Sequence, residues 1–176
     1  MTLLEVMIAM VVLVVGVGAA AYGLLTVSVN ARATKERQLA LEAAQNVLEV
    51  LQSATEFGEV FVRHNATAAD DPAGGTSPGR SFDVDGLDAQ TGDADGLAGE
   101  ITFPGDGIDL REDVAFADLG MPRDLDLLNG VDGADHSSDY RVLPVEIRVR
   151  WRGARGNQEL ALAACLSNDK NVPTIP

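Results

Sequence analysis

Residues 6–31, VMIAMVVLVVGVGAAAYGLLTVSVNA, are 26 consecutive positions without a charged side chain. As a helix rising 1.5 Å per residue they would span about 39 Å, and about 20 apolar residues suffice to cross the hydrocarbon core of a bilayer. The run reads poorly as a secretory signal. Such a signal has a basic start, an apolar core of about 7–15 residues and a small-residue cleavage site, whereas nothing basic precedes Val6 here. A dinucleotide-binding turn is a further reading, with Gly16, Gly18 and Ala21 following a strand-like VVLVV and Glu36 about 20 residues on. It fails because the apolar run continues on both sides of the glycines and no alternating strand–helix pattern follows.

Beyond Ala31 the helical pattern continues but becomes amphipathic. Ala40, Ala43, Ala44, Val47, Leu48, Leu51 and Ala54 recur at steps of three and four, while Glu42, Gln45, Glu49 and Gln52 fall largely on the opposite side. No proline occurs before Pro72. Residues 1 to about 54 therefore predict one helix of roughly 80 Å. The remaining chain, about 120 residues, is too small to pack against all of it. Its apolar half calls for lipid or for the same halves of other copies.

The whole chain of 176 residues carries a net charge of −14, and that charge is unevenly placed. Residues 1–55 carry 3 basic and 4 acidic groups, residues 56–140 carry 4 and 20, and residues 141–176 carry 6 and 3. The middle also holds 13 of the 18 glycines. The acidity argues against nucleic acid as a partner, because affinity for a phosphate backbone comes from cationic neutralisation. A single cysteine excludes an intrachain disulfide framework and a multi-cysteine zinc site. The chain divides into an apolar half-helix (1–31), an amphipathic half-helix (32–55), an acidic Gly/Asp-rich region (56–140) and a C-terminal hairpin with its tail (141–176).

Glu5 stands at the head of the apolar helix. A carboxylate there is costly in a bilayer and is a functional hypothesis by default. The helix dipole favours a negative group at this end. A neighbouring ammonium would compensate better, and a free α-amino group at Met1 of an adjacent copy, offset by one subunit, would supply it.

Met1-Thr2-Leu3-Leu4-Glu5-Val6-Met7-Ile8-Ala9-Met10, followed by the uncharged helix, resembles the mature N-terminus of type IV pilins and type II secretion pseudopilins. The resemblance covers roughly residues 1–55. The stretch 40–49, ALEAAQNVLE, resembles minor pilins and the smaller pseudopilins. It implies a short basic leader ending in glycine, removed by a membrane-embedded prepilin peptidase that then methylates the new N-terminal residue, here Met1. It implies Met1, Thr2 and Glu5 as the assembly determinants. The partners implied are copies of the chain or other pilins in a helical filament, with the inner membrane holding the subunit beforehand and an extracellular or periplasmic filament afterwards. The family most often has phenylalanine at the first position, so an initiator methionine is an alternative reading of Met1. Many members have a proline near position 22, where the helix loosens on assembly. This chain has Tyr22, and Gly16, Gly18 and Gly23 could provide the same weakness or close helix–helix packing in lipid. Arg32, Lys35 and Arg37 follow the apolar run, and the positive-inside rule alone would place them in the cytoplasm. The resemblance places them outside.

In the acidic middle, residues 64–81 read as a loop with His64 at the surface. Asn65-Ala66-Thr67 is a glycosylation tripeptide, a pattern common by chance. Asp83-Val84-Asp85-Gly86-Leu87 recurs as Asp93-Ala94-Asp95-Gly96-Leu97. D-x-D-G is the core of many calcium loops, yet neither copy has the glutamate that would complete an EF-hand. Both a structural calcium, held by Asp83, Asp85, Asp88, Asp93 and Asp95, and a set of solvated Asp-Gly turns fit the pattern. Asp106, Asp109, Asp132, Asp135 and Asp139 are looser candidates. Several pseudopilins hold a structural calcium in such a loop, so the resemblance keeps that reading open.

Val145, Ile147, Val149 and Trp151 alternate with Glu146, Arg148, Arg150 and Arg152, which predicts a strand with one buried side. A turn over Gly153–Asn157 leads to a second strand in which Leu160, Leu162, Ala164 and Leu166 alternate. Ile101–Phe103 is a candidate third strand. The arginine stripe could meet the acidic middle of an adjacent copy or simply face water. The predicted class is α+β: a long N-terminal helix with a small antiparallel headgroup and a long acidic loop region.

The sequence offers no nucleophile–base pair, no two-histidine metal set and no phosphate-binding loop, so an enzyme is not the expected class. A structural filament subunit of the type IV pilus kind is expected first and a minor pseudopilin of type II secretion second. A membrane-anchored extracytoplasmic binding module, with calcium as its candidate cofactor, is the alternative of another class.

Overall fold

The computed structural model describes residues 2–66, 78–93, 95–105, 107–128 and 130–167. Helix α1 runs unbroken over Leu3–Ser53, 51 residues or about 77 Å. Thr2 precedes it in extended conformation, and its carbonyl accepts the amides of Glu5 and Val6. Gly16, Gly18 and Gly23 lie inside the continuous helix. There is no strand–turn–helix at these glycines, so the dinucleotide reading has no structural counterpart.

The headgroup is a four-stranded sheet in the order β1-β2-β3-β4, with β1 Ser81–Phe82, β2 Gly99–Thr102, β3 Val142–Gly153 and β4 Gly156–Ser167, every neighbouring pair antiparallel. β2 occupies the position expected for a third strand, and the short edge strand β1 was not foreseen. The β3–β4 hairpin is longer than its alternating core suggests. It pairs from Val142↔Ser167 to Gly153↔Gly156, leaving only Ala154 and Arg155 as the turn.

Alternation decides which side of the hairpin meets the helix, because successive strand residues point to opposite faces. Leu143, Val145, Ile147, Val149 and Trp151 are buried, with Leu160, Leu162, Ala164 and Leu166 opposite them on β4. From α1 the same core receives Ala40, Ala44 and Leu51, with Leu39, Ala43, Val47 and Leu48 partly buried beside them. Ala40 and Ala44 are fully buried, and their small side chains let the helix backbone approach the sheet. After α1, a 3-10 turn (Phe57–Glu59) and the short helix α2 (Val60–His64) fold back onto the core. Tyr140 ties this corner to the long loop: its hydroxyl donates to the Phe57 carbonyl at 2.5 Å and accepts the Phe61 amide at 3.2 Å. Burial pushes that phenol up to about 12.

Candidate functional site: a bare apolar helix, a helix–hairpin joint and a carboxylate–histidine cluster

The first half of α1 buries no side chain against the other described residues. Its large apolar side chains from Leu3 to Val29 are 39–82% exposed. Its most apolar 18-residue window has a mean hydropathy of 2.6 and no buried residue, so the helix is long and apolar enough to cross a membrane. Glu5 lies exposed in the first turn, and its carboxylate makes no hydrogen bond or ion pair to a described residue. Met1, its expected partner on a neighbouring copy, lies outside the described residues. A Cβ added at Gly16, Gly18 or Gly23 would meet nothing within 4 Å. Those glycines therefore serve no contact with the other described residues, and both expectations for them concern other molecules or the helix's own stiffness.

Where the bare half ends, the hairpin turn is fastened to the helix. Glu36 is buried, accepting the Arg32 guanidinium at 2.9 Å on one oxygen and the backbone N–H of Ala154 at 3.0 Å on the other. Arg155 donates to the side chain of Asn30. Gly153 makes the approach possible, since a Cβ there would collide with the Glu36 carboxylate and the Trp151 indole. Sequence reading met Glu36 only as a false ribose ligand. Its signal was its place one helical step before Ala40 and Ala44, a single carboxylate on the line that packs against the sheet.

The acidic middle does not simply face water. Glu112 is completely buried. One of its oxygens accepts the amides of Leu125 (2.5 Å) and Asp126 (3.3 Å), and the other accepts that of Asp132 (3.0 Å). His136, also buried, lies among carboxylates, with its ring nitrogens 3.2 Å from Asp132, 3.1 Å from Asp139, 3.8 Å from Glu112 and 4.0 Å from Asp126. Burial disfavours the imidazolium, but the hydrogen bond to Asp132, the Glu112 charge and the contact with Asp139 outweigh it and raise the imidazole above its usual value. Asp132 is held low by the Ala134 amide and by His136. Asp124 closes the adjoining turn by accepting Leu127 and Gly130.

Three overlapping groups here could hold a metal ion: Glu112, Asp132 and His136; Asp126, His136 and Asp139; and Glu112, Asp124 and Asp126, the ligand atoms of each lying within 4.8 Å of one another. The all-oxygen group suits a hard cation such as calcium, and the groups containing imidazole suit a softer divalent ion. The backbone amides already on Glu112 and Asp124 occupy part of the same lone-pair capacity.

None of these groups includes Asp83, Asp85, Asp88, Asp93 or Asp95. Asp83 caps its own turn through the Val84 amide, and Asp95 does the same through that of Leu97. Asp93 and Asp95 share a pocket with the guanidinium-bearing Arg80 and Arg150, whose charge opposes a cation there. Of the looser candidates, Asp132 and Asp139 join the cluster, while Asp135 instead accepts the Leu110 and Ser137 amides. Asp109 belongs to none of the three groups, and Asp106 lies outside the described residues. The sequence signal for the cluster is the spacing Asp132–His136–Asp139 around one histidine, which a two-histidine pattern does not capture.

The surface expectation for His64 is corrected. His64 is half-buried, with Nδ1 3.2 Å from the Gly79 carbonyl, and burial pushes its imidazole below the usual value. Asn65 is only 5% exposed, whereas a glycan needs an accessible amide, and Thr67 of its tripeptide lies outside the described residues. The arginine stripe finds partners in its own sheet. Arg148 pairs with Glu146 at 2.9 Å and lies 3.5 Å from Glu159, and Arg150 reaches Glu100 at 2.7 Å.

No family model, curated protein or solved structure matches the chain.

Proposed function

We propose that this chain is a structural subunit of a type IV pilus-like filament, held in the inner membrane by the first half of α1 and polymerised by packing that half against the same segment of other copies. The observation that carries the reading is the continuity of α1. One unbroken helix is bare over its first 30 or so residues and packed into the headgroup over its last 18. A cleavable signal would have to be cut within that helix. The resemblance of residues 1–10 to processed pilin N-termini supplies the rest: Glu5 neutralises the methylated N-terminus of a neighbour, which is Met1 once the prepilin peptidase has acted. In lipid, Glu5 is a cost; beside an ammonium it is a contact, and that difference favours the assembled state.

The Glu5→Ala protein should insert and fold but assemble poorly. Electron microscopy of sheared surface material tests this, and wild-type filament yield from the mutant would sink the proposal. Mass measurement of the N-terminal peptide should find a methylated Met1. Short periplasmic filaments produced only alongside a secretion machine would favour a minor pseudopilin of type II secretion. A chain that inserts but never polymerises would favour the anchored binding module. In any of these roles, Glu112, Asp124 and Asp126 are the place for a structural calcium. A rise in headgroup Tm on adding calcium, reversed by chelator, is its signature.

A further inference from the structure

The joint between the bare half of α1 and the headgroup carries a ring of cations drawn from two distant parts of the sequence. Arg32, Lys35 and Arg37 come from the helix, and Arg152 and Arg155 from the hairpin end; all five are exposed. The hairpin turn is held at this level by the Ala154–Glu36 bond and by the Arg155–Asn30 bond, so the two sets share one height along the helix. The carboxylate in the ring, Glu36, is buried and already used by Arg32 and Ala154. Lys35, Arg37 and Arg152 make no side-chain bond to a described residue, and the Arg152 backbone amide donates to the Asp88 carbonyl at 2.8 Å.

Depth places this ring at a bilayer surface. A hydrocarbon core of about 30 Å takes about 20 residues of helix. Counted from Val6, that brings Tyr22–Thr26 to the far boundary. Tyr22 and Arg155 line one recess with Leu25, Thr26, Val29 and Asn30. Tyrosine at a boundary with cations just beyond it is the pattern of an interfacial anchor. Beside and beyond the ring the sign reverses: the turn around Gly86, packed on Leu39, carries the exposed Asp85, and leads to the exposed Asp88, whose carbonyl accepts the Arg152 amide. An anionic surface would attract the ring and repel the headgroup above it, which fixes how deep the protein sits.

We propose that the ring of Arg32, Lys35, Arg37, Arg152 and Arg155 binds the anionic phospholipid headgroups of the leaflet facing the headgroup and seats the β3–β4 turn on that surface before assembly. This rests on the membrane-held subunit proposed above. Each Lys or Arg near an anionic surface contributes a several-fold gain in partitioning, screened by salt.

The test uses the full chain with Cys165→Ser and Asn157→Cys, labelled at the new cysteine with an environment-sensitive dye. It is reconstituted in vesicles of phosphatidylcholine alone or with 30% phosphatidylglycerol (about one lipid in three, enough to set an appreciable surface potential). Flotation and carbonate extraction report insertion separately. The expected result is equal insertion in both vesicles, with the dye quenched by headgroup-attached quencher only in the anionic ones. Adding Lys35→Gln, Arg37→Gln and Arg152→Gln should weaken that seating by roughly tenfold or more and leave insertion unchanged. Insertion with the same quenching in both vesicles overturns the ring's role alone, whereas failure to insert in either overturns the membrane reading with it. Unchanged anionic quenching in the triple variant, together with a loss of filaments, would instead make the ring a contact between copies and overturn the proposal.

Discussion

The carboxylate of Glu36 accepts the backbone N–H of Ala154 at 3.0 Å, joining α1 to the tip of the β3–β4 hairpin across 118 residues of chain. Among the described residues, α1 N-terminal to this bond is bare apart from the reach of Arg155, and the packed core lies C-terminal to it. Removing the acceptor leaves a half-buried amide without a partner. We expect Glu36→Ala to destabilise the headgroup by about 1–3 kcal/mol, read by denaturation in detergent, with faster hydrogen exchange at the turn. Glu36→Gln keeps an acceptor and should cost less. Gly153→Ala should match or exceed the loss from Glu36→Ala, because its Cβ would occupy the position of the carboxylate.

Glu112 closes the long acidic loop by accepting three backbone amides from a fully buried position. Glu112→Ala strands those donors, each at about 1–3 kcal/mol if left unsatisfied, and should open residues 110–136 to limited proteolysis while β3 and β4 stay paired. Glu112→Gln should be milder, since one oxygen remains for Leu125 and Asp126 while its amide nitrogen faces the Asp132 donor. A Glu112→Ala protein whose loop resists protease like the wild type would refute this account.

His136 makes stability depend on pH. Its folded pKa is raised above its ordinary value of 6.5. Its contribution is therefore full below that value and is lost as pH rises through the folded one, leaving the surrounding carboxylates uncompensated. Asp132 acts at the other end. Held below its ordinary 3.8, it stabilises above that value and loses the contribution as pH falls through its folded one. His64, with a lowered pKa, opposes His136, so the comparison must be between wild type and His136→Asn. Their stability difference should be largest near pH 5.5–6.5 (about one unit around the free imidazole value) and shrink towards pH 8.5. An imidazole proton titration by NMR gives the pKa directly.

Gly23 sits in an exposed helix interior with open space where a side chain would stand. Gly23→Ala should stiffen α1 by about 1 kcal/mol and leave the headgroup's Tm unchanged. Slower amide exchange around residues 19–27 in micelles measures the first effect. If loosening of the helix is part of assembly, filament yield falls in parallel; if the glycine serves close packing, yield falls with no dependence on exchange rate, as Gly23→Ser would show.

Much of this fold could be read from local pattern. The helix follows from an absence of charge and proline, and the hairpin from strict alternation between Val145 and Leu166. Both signals are periodic and short-range, so composition within a window is enough. The Glu36–Ala154 bond is not periodic and depends on where the hairpin lands. The Glu112 hub escaped for the same reason: a buried carboxylate among 20 acidic residues in a glycine-rich stretch looks like its exposed neighbours until the chain closes around it. The D-x-D-G repeat is a conspicuous local motif, yet Asp83 and Asp95 are engaged by the neighbouring amides of Val84 and Leu97. β1, two residues long, carries too little pattern to be seen at all.

The joint at Glu36 also sets how the molecule would respond to tension. A pull on the bare half of α1 enters the headgroup at residues 30–36, through the hairpin turn, before it reaches Ala40, Ala44 and Leu51. The first bonds strained are two hydrogen bonds at the turn, Ala154 to Glu36 and Arg155 to Asn30. A fibre built from such units would give first at this joint in every subunit, ahead of the core behind it.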